Sequence, residues 1–466
     1  MQSERRKAKG SYLDNEVYSI IAKLGFGDRP RRFFIGYSGG VDSHVLLHCC
    51  ASVTDLKNKL TAVYIHHGLQ AEADAWAEHC EKTAKELGVG FIALRVNANA
   101  VPGESPEEAA RNDRYDAFKT LICRDDVLLL AQHRDDQLET VLLQLFRGSG
   151  LRGLSGMPEH MAFGAGVILR PLLNTSKQAI SDYADAHQLS WVEDPSNQSN
   201  DYDRNFLRNA VVPLLKQRWP SIDKTVARSA THCADAQVLV DEVADELFNA
   251  VFDPTDKTLV IGRLLQHHSH PRQLIIRHWF RHLGLKMPAQ AQVGRIVNEV
   301  VAAAGHRDPI LAGKGYSIRR YRDKLYCLTH QPEKPDSQNI VWPPGQASIR
   351  IDQNRILSYA LGSIGICREQ WQNAKVEIRF RRGGEKICLP GREGHHSLKN
   401  LFQENGIPSW ERDATPLIYL NDRLAAIGDL WIGAPFYSEQ TQGCISLFLQ
   451  SEELNPKDND EKLIVD

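Results

Sequence analysis

The run FFIGYSGGVDSHVLLHCC, Phe33 to Cys50, constrains this chain more than any other stretch. Phe33–Tyr37 is aromatic and β-branched, the composition of a buried strand. From Ser43 to Cys50 the pattern turns helical, with Val45, Leu46 and Cys49 on one face. Between the two lie Ser38, Gly39, Gly40, Val41, Asp42 and Ser43. Glycines let a backbone approach a ligand closely. The N–H groups of such a turn, its serine hydroxyls and the start of a helix together suit a cluster of anionic oxygens. The turn is not a Walker A loop, which needs Lys-Ser/Thr after its glycines, because no lysine occurs from Phe33 to Cys50. Asp42 repels phosphate unless a cation intervenes, so Mg²⁺ is expected beside it. The plain alternative is a strand–turn–helix connection capped by serine.

The same alternation continues. Strands are expected at Phe33–Tyr37, Leu60–His66, Gly90–Val96, Val127–Gln132 and Val167–Arg170, with helices at Ser43–Val53, Ala71–Leu87, Pro106–Ile122 and Gln137–Phe146. That order implies an α/β fold, a doubly wound and mostly parallel sheet whose ligands sit at the carboxyl ends of the strands. From Phe206 to about Leu285 the texture becomes Ala/Val/Leu-rich and helical, followed by a β-like piece at Tyr316–Leu328. HQPEKPDSQNIVWPPGQ reads as a linker, and the short strands and turns beyond it as a small α+β domain. The expected division is a catalytic domain over 1–215, a helical domain over 216–330, a linker over 331–365, an α+β domain over 366–450 and a frayed tail over 451–466.

Bulk properties remove several classes. With a net charge of -2 across 466 residues, any nucleic-acid surface must be a local patch. The basic start MQSERRKAKG leads into no apolar run, so no secretory signal is expected, and no stretch is apolar for long enough to span a membrane. Nine scattered cysteines without a C-x-x-C pair argue against zinc, iron–sulfur and thioredoxin-like chemistry, and point to reduced thiols in the cytoplasm. The sequence leaves the oligomeric state open, a homodimer included.

Other residues stand out at strand ends. YIHHGL puts His66 and His67 where the second strand stops, either against a nucleotide or facing solvent. In EEAARNDRYDAF, Arg111 shares a helix face with Arg114 and Tyr115; it either binds phosphate or pairs with Glu107 and Glu108. In LLLAQHRDDQLETVLL, a strand ends at His133 and a helix begins near Asp135, which can cap it. Asp135, Asp136 and Glu139 cluster there, either as dipole-favoured acids of a first turn or as holders of Mg²⁺ or a substrate ammonium. RGSGLRGLSGM, with Arg147 and Arg152, is either a lid or a plain loop. In DYDRNFLRN, Arg204 and Arg208 share a face, for RNA backbone or for pairs with Asp201 and Asp203. Arg379, Arg381, Arg382, Lys386, Arg392 and Lys399 gather near His395 and His396 as a candidate RNA-facing patch.

Ser-Gly-Gly-Val-Asp-Ser resembles the pyrophosphatase loop of the N-type ATP pyrophosphatases, also called PP-loop proteins, which use a Rossmann-like domain to adenylate an oxygen with ATP. Within that superfamily YIHHGL, EEAARNDRYDAF, AQHRDDQLETVLLQLFRGSGLRGLSGM, RPLL, WVEDPSNQSNDYDRNFLRN and the region from Arg379 to Leu420 resemble the tRNA(Ile)-lysidine synthetases. Gln70 departs from the pattern, where a basic residue is expected. The resemblance implies ATP and Mg²⁺, free L-lysine, and a tRNA(Ile) with a CAU anticodon. It implies adenylation of C2 of the wobble cytidine, then attack by lysine, changing the codon read from AUG to AUA. By the same resemblance Ser38 to Ser43, with His66 and His67, would bind ATP. Asp42 and Asp136 would hold Mg²⁺, Asp136 and Glu139 would place the lysine amine, His133 would lie near the nucleotide, and Arg111 would contact ATP or tRNA.

Overall fold

The computed structural model describes residues 2–24, 32–66, 73–96, 106–304, 308–329, 339–352 and 355–451. The chain forms two compact units, Met1–Val243 and Ala244–Asp466, where three domains and a linker were expected.

In the first unit the elements run α1 (Gln2–Ala22), β1 (Phe33–Gly36), α2 (Val41–Ala51), α3 (Thr54–Lys57), β2 (Leu60–His66), α4 (Ala73–Leu87), β3 (Gly90–Arg95), α5 (Pro106–Leu121), β4 (Val127–Leu129), α6 (Arg134–Phe146), α7 (Leu151–Leu154), β5 (His160–Phe163), β6 (Gly166–Leu169), α8 (Lys177–Ala186), α9 (Asp203–Phe206), α10 (Val212–Arg218) and most of α11 (Ile222–Val251). The sheet order is β3-β2-β1-β4-β6-β5, with β5 alone antiparallel. Alternate side chains of the central strands feed two cores. Phe33, Ile35, Val127 and Leu129 pack with α1, α2 and α8, while Phe34, Leu128 and Val63 face Phe118 and Ile122 at the end of α5. Both faces are covered, which is why β1 and β4 read as unbroken apolar runs. The chain goes from β1 outward to β2 on one side and later to β4 on the other, so the connections leaving β1 and β4 diverge and open a crevice at their carboxyl ends.

In the second unit, α12 (Ile261–Leu264), α13 (Ser269–His282) and α14 (Gln290–Arg295) supply the expected helical texture, with Trp279, Phe280 and Val293 fully buried. A five-stranded sheet accompanies them: β7 (Phe252–Asp253), β8 (Thr258–Val260), β9 (Ile310–Gly313), β10 (Tyr316–Tyr321) and β11 (Lys324–Leu328), in order β7-β8-β11-β10-β9.

The expected 331–365 linker needs correction, for it holds β12 (Ile340–Trp342), β13 (Ser348–Arg350) and most of β14 (Arg355–Cys367). Pro343-Pro344-Gly345 is a tight turn between strands. Gly345 has φ +79°, Gln346 N–H donates to Pro343 O over 3.3 Å, and Trp342 Nε1–H to Gln346 O over 2.8 Å. Proline and glycine here shape a corner between strands of two different sheets, not a spacer. The rest of this unit is mixed α+β, with the long strands Arg355–Cys367 and Tyr437–Ser451 paired antiparallel. Of the expected tail over 451–466, Ser451 ends the last strand and residues 452–466 lie outside the described residues, as do 330–338. Among the described residues no helix is long and apolar enough to cross a membrane.

Candidate active site at the switch point of the sheet

The turn after β1 is shaped before any ligand arrives. Gly39 has φ +82°, and a Cβ there would lie 3.0 Å from Cys80 Sγ, so both conformation and space require glycine. Its carbonyl accepts the Val192 N–H at 3.0 Å. Ser43 Oγ–H donates to Gly40 O (2.9 Å) and receives the Ser38 N–H (3.2 Å), and Ser38 Oγ lies 3.2 Å from it. The two serines therefore lace the loop together. Gly40 is the N-cap of α2 and supplies no side-chain cap, so the amides of Val41, Asp42 and Ser43 have no intrahelical acceptor. Donors so placed at a positive dipole end suit an anion.

Across the crevice, α6 starts at Arg134 and is capped by His133, not by Asp135 as expected. Its Nδ1 accepts the Asp135 N–H (3.2 Å), while Asp136 Oδ2 receives the His133 N–H (2.9 Å). This reciprocal box satisfies two orphan donors and leaves Nε2 of His133 facing carboxylates, 3.6 Å from Asp42 Oδ2 and 3.5 Å from Asp136 Oδ2. Burial opposes charge on His133, but the facing carboxylates of Asp42 and Asp136 outweigh it and raise its pKa. Asp42 Oδ1 receives Lys177 Nζ at 2.5 Å. Burial would raise the Asp42 pKa, yet His133 and Lys177 bring it down to about 2. The loop's one acid is an ionised carboxylate between the Lys177 ammonium and the His133 imidazole.

Asp136 and Glu139, 9% and 1% exposed, sit on the inner face of α6. Arg204 Nε donates to Glu139 Oε2 (2.8 Å) and its Nη2 to Asp136 Oδ1 (3.2 Å). Arg208 Nε donates to Glu139 Oε1 (2.7 Å), and its Nη2 to Glu139 Oε2 (2.8 Å) and Asp136 Oδ1 (2.9 Å). Two carboxylates and two guanidinium groups thus balance in a single network, rather than the arginines pairing with Asp201 and Asp203. Asp135 stands apart, its Oδ2 bound by Lys216 Nζ at 2.6 Å.

Among the described residues no group of three or more His, Cys, Asp or Glu could hold a metal ion by itself. Mg²⁺ usually takes one or two carboxylates and fills its shell with phosphate oxygens and water, so it does not require such a group. Asp42, 31% exposed at its side chain, can offer an oxygen to such an ion. Both oxygens of Asp136 already accept hydrogen bonds.

Arg111 lies with its guanidinium 5.6 Å from the Tyr115 ring. Arg114 is lowered in pKa first by burial and then by the charges of Arg111 and Arg204, so these arginines form one positive cluster. Buried Arg170, held by Gln132 Oε1 (3.0 Å) and Pro158 O (2.8 Å), feels the charge of Arg111 as well. His66 is buried at the end of β2, with Nε2 3.1 Å from Asp74 Oδ1, while His67 and Gln70 lie outside the described residues. In the C-terminal basic cluster Arg379 pairs with Glu377 and Asp422, Arg381 with Asp413 and Arg392 with Glu404, which tempers the charge of that patch. Lys177 and Lys216 were not singled out from sequence; neither lies in a motif, and only the fold brings them to Asp42 and Asp135.

Models of known families match along the chain: the PP-loop domain at residues 12–215, the TilS substrate binding domain at 259–326 and the TilS substrate C-terminal domain at 376–448. A tRNA(Ile)-lysidine synthase of Methylococcus capsulatus is 40% identical over 406 residues, covering 86% of this chain and 92% of that protein. Another, from Proteus mirabilis, is 41% identical over 396 residues, covering 84% and 89%. A solved TilS C-terminal domain, 21% identical, covers 25% of this chain and 99% of its own, with a TM-score of 0.21. With about 40% identity to the Methylococcus and Proteus proteins over most of their length and of its own, the chain belongs to the tRNA(Ile)-lysidine synthase family.

Proposed function

We propose that this protein ligates free L-lysine to C2 of the wobble cytidine of a CAU-anticodon tRNA(Ile), using ATP and passing through an adenylated tRNA. The observation that carries this reading is the facing of two unlike halves across one crevice. A turn with unused amides and an ionised Asp42 suits a triphosphate, and the Asp136–Glu139 carboxylates suit an ammonium.

The amides of Val41 to Ser43 bind the phosphates that leave as pyrophosphate. Mg²⁺, when bound with those phosphates at Asp42, would neutralise charge on the leaving group. The C2 oxygen of cytidine displaces pyrophosphate from the α-phosphorus; the ε-amine of lysine then forms the C–N bond at C2, and the C–O bond to AMP breaks as the amine loses a proton. Arg204 and Arg208 hold the Asp136 and Glu139 carboxylates in place. Asp136 is the more reachable, its side chain 13% exposed against 1% for Glu139, and its Oδ2 keeps a lone pair for the incoming amine. Arg111 and Arg114, with the charge of buried Arg170 behind them, suit the RNA backbone on either side of an unstacked base.

The test is incorporation of labelled lysine into a CAU-anticodon isoleucine tRNA transcript, with ATP and Mg²⁺ added or withheld. ATP-dependent incorporation confined to that tRNA is expected. Pyrophosphate release without incorporation would reject lysine as the nucleophile, and no reaction with folded protein would reject the ligase reading.

A further inference from the structure

The turn from Ser38 to Ser43 lacks the lysine that a Walker-type loop carries, yet an ammonium reaches its Asp42 from elsewhere in the chain. Lys177 Nζ lies 2.5 Å from Asp42 Oδ1, although the two residues are 135 positions apart. We infer that Lys177 is the phosphate-binding lysine of this site, delivered by α8 rather than by the loop, and that it moves from Asp42 to the β- and γ-phosphates when ATP binds. The inference deepens the proposed function and rests on its placing of ATP at Ser38 to Ser43.

Three observations support it. Lys177 is the first residue of α8, directly after the cap Ser176, whose Oγ accepts the Ala179 N–H at 3.2 Å, and the first turn of that helix holds no acid. A cation there opposes the helix dipole, so its position disfavours α8 and asks for another reason. The Lys177 side chain is 39% exposed and that of Asp42 31%, which leaves the pair open to the crevice and the ammonium free to swing on its flexible stem. Charge changes hands sensibly as well. With His133 remaining at Asp42 Oδ2, a metal ion arriving with the phosphates can take the place of Lys177 at Oδ1, and the displaced ammonium meets the phosphate charge left over. The loop can then do without a lysine of its own, because the sheet topology brings one to it.

Binding of ATP, pyrophosphate and AMP to the full chain in Mg²⁺ tests this by calorimetry, with no dependence on lysine or tRNA. Lys177→Gln keeps a hydrogen bond to Asp42 and removes the charge; it should lose ATP and pyrophosphate affinity by roughly 10–100-fold, the range for a hydrogen bond to a charged group. AMP affinity should stay, and Lys177→Arg should recover most of the loss. A parallel fall for AMP and ATP would mark a merely structural role and overturn the inference, as would unchanged ATP affinity in Lys177→Gln. If the unaltered protein bound neither ATP nor pyrophosphate, the nucleotide site itself would be wrong and the inference would fall with it. Lys177→Met, with its melting temperature measured alongside, separates lost binding from lost folding.

Discussion

Arg208 Nε donates to Glu139 Oε1 over 2.7 Å, joining residues 69 positions apart through a carboxylate that is 1% exposed at its side chain. Burial disfavours the guanidinium charge, but the hydrogen bond and the charge of Glu139 overcome it and raise the Arg208 pKa. Such a pair stabilises little in net terms, whereas stranding one member costs much. The double variant Arg204→Met, Arg208→Met should therefore lose about 3–5 kcal/mol in the first urea unfolding transition. Restoring Glu139→Gln in that background should return part of the loss. A double variant as stable as the parent would contradict the balanced network.

Asp42 should be dispensable for the fold and required for the reaction. Asp42→Asn removes the ionised oxygen while keeping shape, so pyrophosphate release should fall by at least ~100-fold, the scale seen when a preorganised charge is removed. Its stability should respond to acid differently from that of the parent. The folded pKa of about 2 lies below the ordinary value of 3.8, so the carboxylate stabilises the fold above that value and ceases to as pH falls through about 2. The stability gap between parent and variant should thus close between pH 4 and pH 2, by at most about 2 kcal/mol.

His133 holds two roles that pull its proton in opposite senses. As a cap, Nδ1 must stay unprotonated; facing Asp42 and Asp136, the ring favours its cationic form. A group whose folded pKa is raised stabilises below its unfolded value and stops doing so as pH rises through the folded one. One imidazole resonance should therefore titrate above 6.5 by NMR and move down in Asp42→Asn. His133→Asn should keep the start of α6, since asparagine caps well, yet lose that titration and most activity. A His133 titration unaltered by Asp42→Asn would show that the two do not interact.

Gly39→Ala should be costly out of proportion to one methyl group. The φ of +82° and the 3.0 Å approach to Cys80 Sγ both resist a Cβ. A loss of about 1–3 kcal/mol is expected from backbone strain, with ATP binding weakened further by distortion of the loop. Gly40→Ala, where the nearest atom would be Ser38 Oγ at 3.5 Å, should be milder in thermal melts.

Much of this was readable along the chain where the determinants are local. Leu60–His66 was delimited by its own β-branched run, and the turn from Ser38 to Ser43 by its glycines and serines. Reading stopped where a residue's role depends on distant partners. Nothing near Lys177 or Arg208 in sequence announces Asp42 or Glu139, because the sheet order brings them together. Asp135 looked like the cap of α6 since aspartate caps often, but the chain enters the helix two residues earlier and a histidine nitrogen takes the role. Pro343-Pro344-Gly345 looked like spacer by composition; its meaning as a strand corner depends on Trp342 and Gln346 being held on either side. β6 was expected at Val167–Arg170, but its hairpin partner β5 escaped because a four-residue strand leaves too little alternation to see.

The capping box of His133 and Asp136 ties the chemistry to the mechanics of a helix end. The first turn of α6 cannot fray without turning His133 away from Asp42 and loosening Asp136 from its arginines. The ordering cost of these groups falls on folding and not on ligand binding. Warming should then extinguish turnover as soon as that one turn opens, while the sheet behind it is still intact.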